Sequence, residues 1–200
     1  MDFYVINLKE RDDRLKDIKN EFYNYNLKII NAEKNIEGWK GCFESHKKCI
    51  KHAIENKIDY IIVLEDDCIK TEYFDKKIKI ILEYLKNNKN KWDIFLGGVT
   101  SVYDNIEKEY LDKDIGLIYL NYSKTSHFII YNSSCYNIML NKNINIPIDK
   151  SIWLENKLKI VSIIPFIAKQ KIDYSSIEKK NVNYNSRFEA AENYLLKINK

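Results

Sequence analysis

The chain has 200 residues, of which 45% are hydrophobic and 31% charged, and its formal net charge is +4. That length and apolar share suit one globular domain with a sizeable core and exclude a disordered chain. No apolar run approaches the ~20 residues of a membrane span, and the modest charge lacks the basic footprint of a nucleic-acid binder.

The opening residues, MDFYVINLKE, lack the basic start and long apolar stretch of a secretory leader. Cys42, Cys49, Cys68 and Cys135 are scattered without a framework, so free thiols and a cytoplasmic location are expected. Arginine occurs three times, at Arg11, Arg14 and Arg187, against thirty lysines. A chain that otherwise uses lysine has placed two of its forked, bidentate cations within one helical turn.

In chain order, the continuous apolar run FYVINL (3–8) predicts a buried strand. Residues 10–25 follow with Leu15, Ile18 and Phe22 at helical spacing. LKII (27–30) is a short second strand, and 31–39 a polar loop. Residues 41–56 form an amphipathic helix with Cys42, His46, Cys49 and Ala53 near one face. DYIIVL (59–64) is the next strand, and it runs into three carboxylates, Glu65, Asp66 and Asp67. Thr71 can N-cap a helix reaching Asn87. WDIFLGG (92–98) is a strand stopped by glycines, and 100–113 is polar and irregular. Strands at 115–120 and 126–131 precede a short helix over 132–141. After Pro147 a helix opens at Asp149 and covers 149–158, and 159–168 is a late strand. The segment 1–177 reads as one domain. The charged tail 178–200 follows, partly helical through Phe188, Ala191, Tyr194, Leu195 and Ile198.

Alternating strands and helices indicate a largely parallel sheet with helices on both faces. Ligands bind such sheets beyond the carboxyl ends of the strands. Both the Arg11–Arg14 pair and the acidic triplet fall there. In an extended strand Glu65 and Asp67 would share one side and Asp66 the other. Hard oxygen donors in that layout favour Mg²⁺ or Mn²⁺, while an acidic loop beside a helix N-terminus is the bland alternative. The arginines suit phosphate, or else a solvated helix face pairing with Asp12, Asp13 and Asp17. Cys42, His46 and Cys49 read as a core face with a hydrogen-bonded histidine, not as zinc ligands, because structural zinc sites need a fourth donor and draw on loops. His127, inside a strand, is structural or a ligand, and Asp149 is a base or an N-cap.

Taken in order, VINLKERDDR, GCFESHKKCIKHAI, IIVLEDD, KWDIFLGG, TSHFIIYNSSCYNIML, PIDKSIW and IPFIAKQKIDYSSI resemble glycosyltransferase family 25, over residues 3 to about 177. The resemblance implies a glycosyltransferase A (GT-A) fold, a Rossmann-like α/β domain with a mostly parallel sheet. It implies metal-dependent, inverting transfer of a hexose from a UDP-sugar to a hydroxyl acceptor on a glycan or a protein. Mn²⁺ (or Mg²⁺) would sit on Asp67, with Glu65 and His127 as further ligands. Asn7, Leu8, Arg11, Arg14, Ser45, Glu65 and Asp66 would hold the donor. Asp149 would act as base, with His127 the second choice. The loop before the Ser-His helix is shorter than the family's usual one, which leaves open a catalytically silent sugar-nucleotide-binding module. A nucleotidyltransferase would need a glycine-rich loop after the first strand, and NLKERDDR has none. A homo-oligomer is left open.

Overall fold

The computed structural model describes residues 1–103, 106–175 and 177–198. In β1 (Asp2–Asn7) every residue after Asp2 is buried. Phe3 and Val5 enter one core while Tyr4 and Ile6 enter another. Such a strand needs cover on both faces. The cover on the first side is α1 (Asp12–Glu21) with Ile18, and α3 (Phe74–Asn87) with Ile78, Ile81 and Leu85. On the second side it is α2 (Gly38–Glu55), through Phe43, Cys49, Ile50 and Ala53.

β1 pairs in parallel with β2 (Asn26–Asn31) on one side and β3 (Tyr60–Glu65) on the other. A short β4 (Cys68–Lys70) follows β3 directly. The main sheet adds β5 (Ile94–Leu96), β6 (Glu107–Asp112), β7 (Ile115–Leu120), β8 (Phe128–Asn132) and β9 (Ile160–Ile164). Among the described residues its order is β2-β1-β3-β8-β5-β9-β7-β6. β7 and β8 run against the other six strands, so the direction is mostly parallel although only three of the seven neighbouring pairs are.

Several local expectations are corrected. The stretch 100–113 is not wholly irregular, because β6 lies in it; residues 104 and 105 are outside the described residues. β6 is an edge strand with a charged sequence, EKEYLD, a common protection against edge pairing and one that hides the apolar signal. Thr71 does not cap α3. The helix starts after Tyr73, and the Thr71 hydroxyl instead donates to the Phe166 carbonyl at 2.5 Å. The late strand 159–168 is broken at Pro165 into β9 and β10 (Ala168–Gln170), which pairs with β4. The predicted first helix stops at Glu21, since Phe22 and Tyr25 turn inward to pack against Phe3 and Phe74.

α4 (Tyr136–Asn141) and α5 (Ile148–Trp153) complete the α2 side; α5 opens at Ile148 and ends at Trp153, short of the expected 158. The tail is folded onto the rest. β11 (Asp173–Ser175) and β12 (Lys180–Val182) form a hairpin, and α6 (Asn185–Lys197) buries Phe188, Ala191 and Leu195. Residues 199 and 200 are outside the described residues. Among the described residues no helix is long and apolar enough to cross a membrane.

Candidate functional site

The parallel register places Ile6 beside Glu65, so β1 and β3 end side by side. Their ends open into a cavity of about 730 Å³. Leu8, Arg11, Arg14, Glu65, Asp66 and Asp67 line its floor. One wall is the loop around 32–39 with the start of α2, and another the segment 124–126 with the start of α5. The hairpin and the start of α6 close a third side.

The acidic triplet does not keep strand alternation, because β3 stops at Glu65 and the chain turns. Glu65 faces α2, and its Oε1 accepts from the hydroxyl of Ser126, in the segment before β8, at 2.5 Å. Asp66 and Asp67 both face Arg14, whose Nη1 lies 2.7 Å from Asp66 Oδ1 and 3.6 Å from Asp67 Oδ2. Gln170 reaches the same Asp67 oxygen at 3.4 Å. Asp67 Oδ1 is buried and has no hydrogen-bond partner among the described residues. Burial, with Glu65 nearby, pushes the Asp67 carboxyl up to about 7. For Glu65 burial works the same way, but the His46 imidazole and Ser126 hydroxyl beside it hold it below the ordinary carboxylate value.

The arginine pair is neither solvated nor free. Arg14 donates from Nε to Asp173 at 2.9 Å, from Nη1 to Asp66 and from Nη2 to the Tyr174 carbonyl at 2.8 Å. Arg11 grips Asp13 and reaches Asp173 at 3.2 Å. The partners are therefore Asp13, Asp66, Asp67 and Asp173; Asp12 and Asp17 play no part in these contacts. Asp173 is the residue that sequence reasoning missed. It lies 159 positions from Arg14, and no local pattern announces a pairing at that distance. Burial opposes charge on Arg14, yet Asp67 and Asp66 raise its pKa and keep it protonated. Arg14→Lys keeps the charge, but its donors sit on one nitrogen and cannot span the separate acceptors that Nε, Nη1 and Nη2 reach. It should lower stability by about 1–3 kcal/mol, read as a lower urea midpoint with the hairpin loosened. An unchanged midpoint would show that the fork geometry is not needed.

The other predicted residues divide clearly. Leu8 lines the cavity, while Asn7 sits buried behind it and donates from Nδ2 to the Leu8 carbonyl at 2.8 Å. Ser45 is fully buried and supports the wall indirectly: its hydroxyl donates to the Gly41 carbonyl at 2.6 Å and accepts the Glu33 amide at 2.9 Å. Gly41 completes that seam, because a Cβ there would meet the Glu33 carbonyl oxygen at 2.2 Å. Gly41→Ala gains up to ~1 kcal/mol of helix propensity, but displacing backbone costs about 1–3 kcal/mol. The expected net result is a lower melting temperature. A variant that melts higher than wild type would show that the loop yields freely.

His127 is not brought to the cavity. It is buried edge-on to Phe188, with ring centroids 5.2 Å apart, and neither ring nitrogen has a hydrogen-bond partner. Burial pushes its pKa down to about 4, so it is neutral at pH 7. Asp149 does line the cavity. It is the second residue of α5, Pro147 holds the N-cap position, and no side chain caps the helix. Asp149 Oδ1 accepts the Lys150 amide at 2.8 Å, and Oδ2 lies 3.4 Å from the Thr125 amide.

The predicted metal set is not the tightest group of donors. Among the described residues, the His, Cys, Asp or Glu atoms that converge within 4.8 Å belong to Cys42, His46 and Glu65. Asp67 and His127 are not part of that group.

With this geometry in place, comparison with known proteins is informative. The sequence pattern described as "Glycosyltransferase family 25 (LPS biosynthesis protein)" matches residues 31–152, more than half of the chain. Procollagen galactosyltransferase 1-B of Xenopus laevis is 28% identical over an alignment 125 residues long, with 47% of this chain and 20% of that protein covered. The aligned stretch thus spans about a fifth of that relative's length. Among solved structures, A197 from STIV aligns with a TM-score of 0.55 at 13% identity, covering 90% of this chain and 92% of its own. A glycosyltransferase involved in glycosylating the major capsid of PBCV-1 aligns with a TM-score of 0.48 at 10% identity, over 96% and 98% of the two chains. At such identities the likeness to A197 speaks to the fold alone.

Proposed function

The chain belongs to glycosyltransferase family 25, and from that premise we propose that it moves a hexose from a UDP-sugar to a hydroxyl acceptor, on a glycan or a hydroxylated side chain, with Mn²⁺ or Mg²⁺ as cofactor. That it is a glycosyltransferase with a GT-A-type α/β fold follows from the family. The donor, metal and acceptor are the further steps.

The observation that supports a metal is Asp67 Oδ1, a buried carboxylate oxygen without a partner, beside Glu65 at the floor of the cavity. A buried carboxylate oxygen left without a partner is costly, and a hard cation suits an all-oxygen donor set. Asp67 would be the principal ligand and Glu65 the second carboxylate. The cation, when bound, would neutralise the diphosphate that leaves. Arg11 lines the same floor, and its bonds to Asp13 and Asp173 can be exchanged for bonds to phosphate oxygens. The turn after β1, fixed by Asn7 at Leu8, offers backbone groups to the nucleoside. Asp149, on another wall, would take the proton of the acceptor hydroxyl. The shape of the donor site thus comes from β1, β3 and α2, and that of the acceptor side from α5.

Screening UDP-sugars for Mn²⁺-dependent hydrolysis, with water as the acceptor, tests donor and metal together. One UDP-hexose should be cleaved, and chelation should stop the reaction. Absence of cleavage with every UDP-sugar, or cleavage indifferent to chelator, would remove this reading.

A further inference from the structure

Cys42 and His46, which converge on the Glu65 carboxylate, have a chemistry that the transfer reaction does not use. Cys42 and His46 stand four residues apart in α2, so both project from one face of the helix. That face meets the end of β3, where Glu65 turns toward it. Cys42 Sγ lies 3.7 Å and His46 Nε2 3.6 Å from Glu65 Oε1, and all three donor atoms fall within 4.8 Å of one another. A tetrahedral zinc ion with bonds of about 2.0–2.3 Å needs ligand atoms spaced about 3.3–3.6 Å apart. Two of the spacings found here already lie close to that.

Two other features prepare the group for a cation. His46 is 0% exposed, and its Nε2 has no hydrogen-bond partner among the described residues. The 3.6 Å to Glu65 is too long for a hydrogen bond. The opposite ring nitrogen, Nδ1, is 2.9 Å from the Tyr131 hydroxyl, the kind of outer contact that orients a ligating imidazole. Ser126 in turn holds the Glu65 carboxylate. Cys42 and Glu65 both line the cavity, so a fourth position can face solvent or substrate.

We propose that Cys42, His46 and Glu65 form a second cation site, for a borderline thiophilic metal such as Zn²⁺, next to the all-oxygen site at Asp67. Sulfur and imidazole donors select against Mg²⁺ and Mn²⁺ and toward zinc or cobalt. The site holds a cation whether or not the chain transfers a hexose. Binding replaces the thiol proton by the metal and releases that proton to solvent.

Cobalt(II) is the probe, because a thiolate ligand gives it a charge-transfer absorption that oxygen ligands do not. Wild-type protein titrated with Co²⁺ should show this band, and Zn²⁺ should remove it. Asp67→Asn should keep the band and Cys42→Ser should lose it, while circular dichroism confirms that the serine variant is folded. A second readout needs no variant. Cys49, Cys68 and Cys135 are buried, so Cys42 is the thiol nearest to solvent. Zn²⁺ should slow its alkylation by about tenfold or more, as expected when a thiolate is ligated, and Mg²⁺ should not. No thiolate band in the wild type, a band that survives Cys42→Ser, or alkylation indifferent to Zn²⁺ would each overturn the site.

Discussion

Replacing Asp67 with Asn should remove the proposed Mn²⁺-dependent affinity for UDP and, in metal-free protein, should raise the melting temperature. The two effects have one origin. Burial and Glu65 push the Asp67 carboxyl from 3.8 to about 7, so the folded state holds its proton more tightly than the unfolded state does. As pH rises from about 4 to about 7, the folded protein must ionise a group that the unfolded chain has already ionised, and stability falls. Below about pH 4 both states are protonated and the cost is absent. Asn carries no charge, so its advantage should be small near pH 4, grow with pH and level off above about pH 7. At ~1.4 kcal/mol per pH unit the gain is at most about 4 kcal/mol. The same ionised oxygen is what a cation needs, so the substitution that relieves the apo protein should disable the holo one. Thermal melts with chelator near pH 5 and near pH 8, with calorimetric titration of UDP and Mn²⁺, read both sides. Undiminished UDP affinity would remove the metal from Asp67. A melting temperature lowered equally at both pH values would show that the carboxylate is a structural ligand of Arg14 instead.

The outer plan of the molecule was legible where periodicity was strong. FYVINL and DYIIVL are apolar on both faces and became β1 and β3 at the centre of the first half-sheet. The stripe Ile78, Ile81 and Leu85 became the buried face of α3. β6 was illegible, because an edge strand protects itself with charge. β4 and β10 are three residues each, too short for a period to register. At the site, the positions of Arg11, Arg14, Glu65, Asp66 and Asp67 around one cavity followed from rules about strand ends, and Asp149 was pointed to by the family resemblance. What each side chain touches did not. Asp66 was expected opposite Asp67, but the turn after Glu65 brings both to Arg14. Asp173 and Glu65 are long-range partners, one of the arginines and one of the Cys42–His46 pair. A helix face read by itself shows two donors and a core, and only the fold supplies the third.

Asp149→Asn should reduce glycosyl transfer by the ~10²–10⁴ typical of a lost general base, while leaving the fold and donor affinity near wild type. The helix-cap alternative is already weakened by the structure, since Pro147, not Asp149, occupies the N-cap position. The bond that Asp149 does make, from the Lys150 amide to Oδ1, can be kept by the amide oxygen of Asn. The contact from the Thr125 amide, at 3.4 Å, is long enough to contribute little. Stability should therefore change by less than the ~1 kcal/mol of a lost cap. Under the proposed reading donor affinity would be governed by the floor formed from β1 and β3, whereas Asp149 stands on α5. What Asn cannot do is accept a proton, and an acceptor hydroxyl without a base attacks the sugar slowly. The three quantities to measure on one variant are melting temperature, UDP affinity in the presence of Mn²⁺ and turnover of the cleaved UDP-sugar. A base predicts that only the third moves. If all three fall together, Asp149 is a structural residue of the α5 wall. If turnover stays within a few-fold of wild type, another group on the cavity wall takes the proton, and His127, buried against Phe188 and outside that wall, is not the residue to try next.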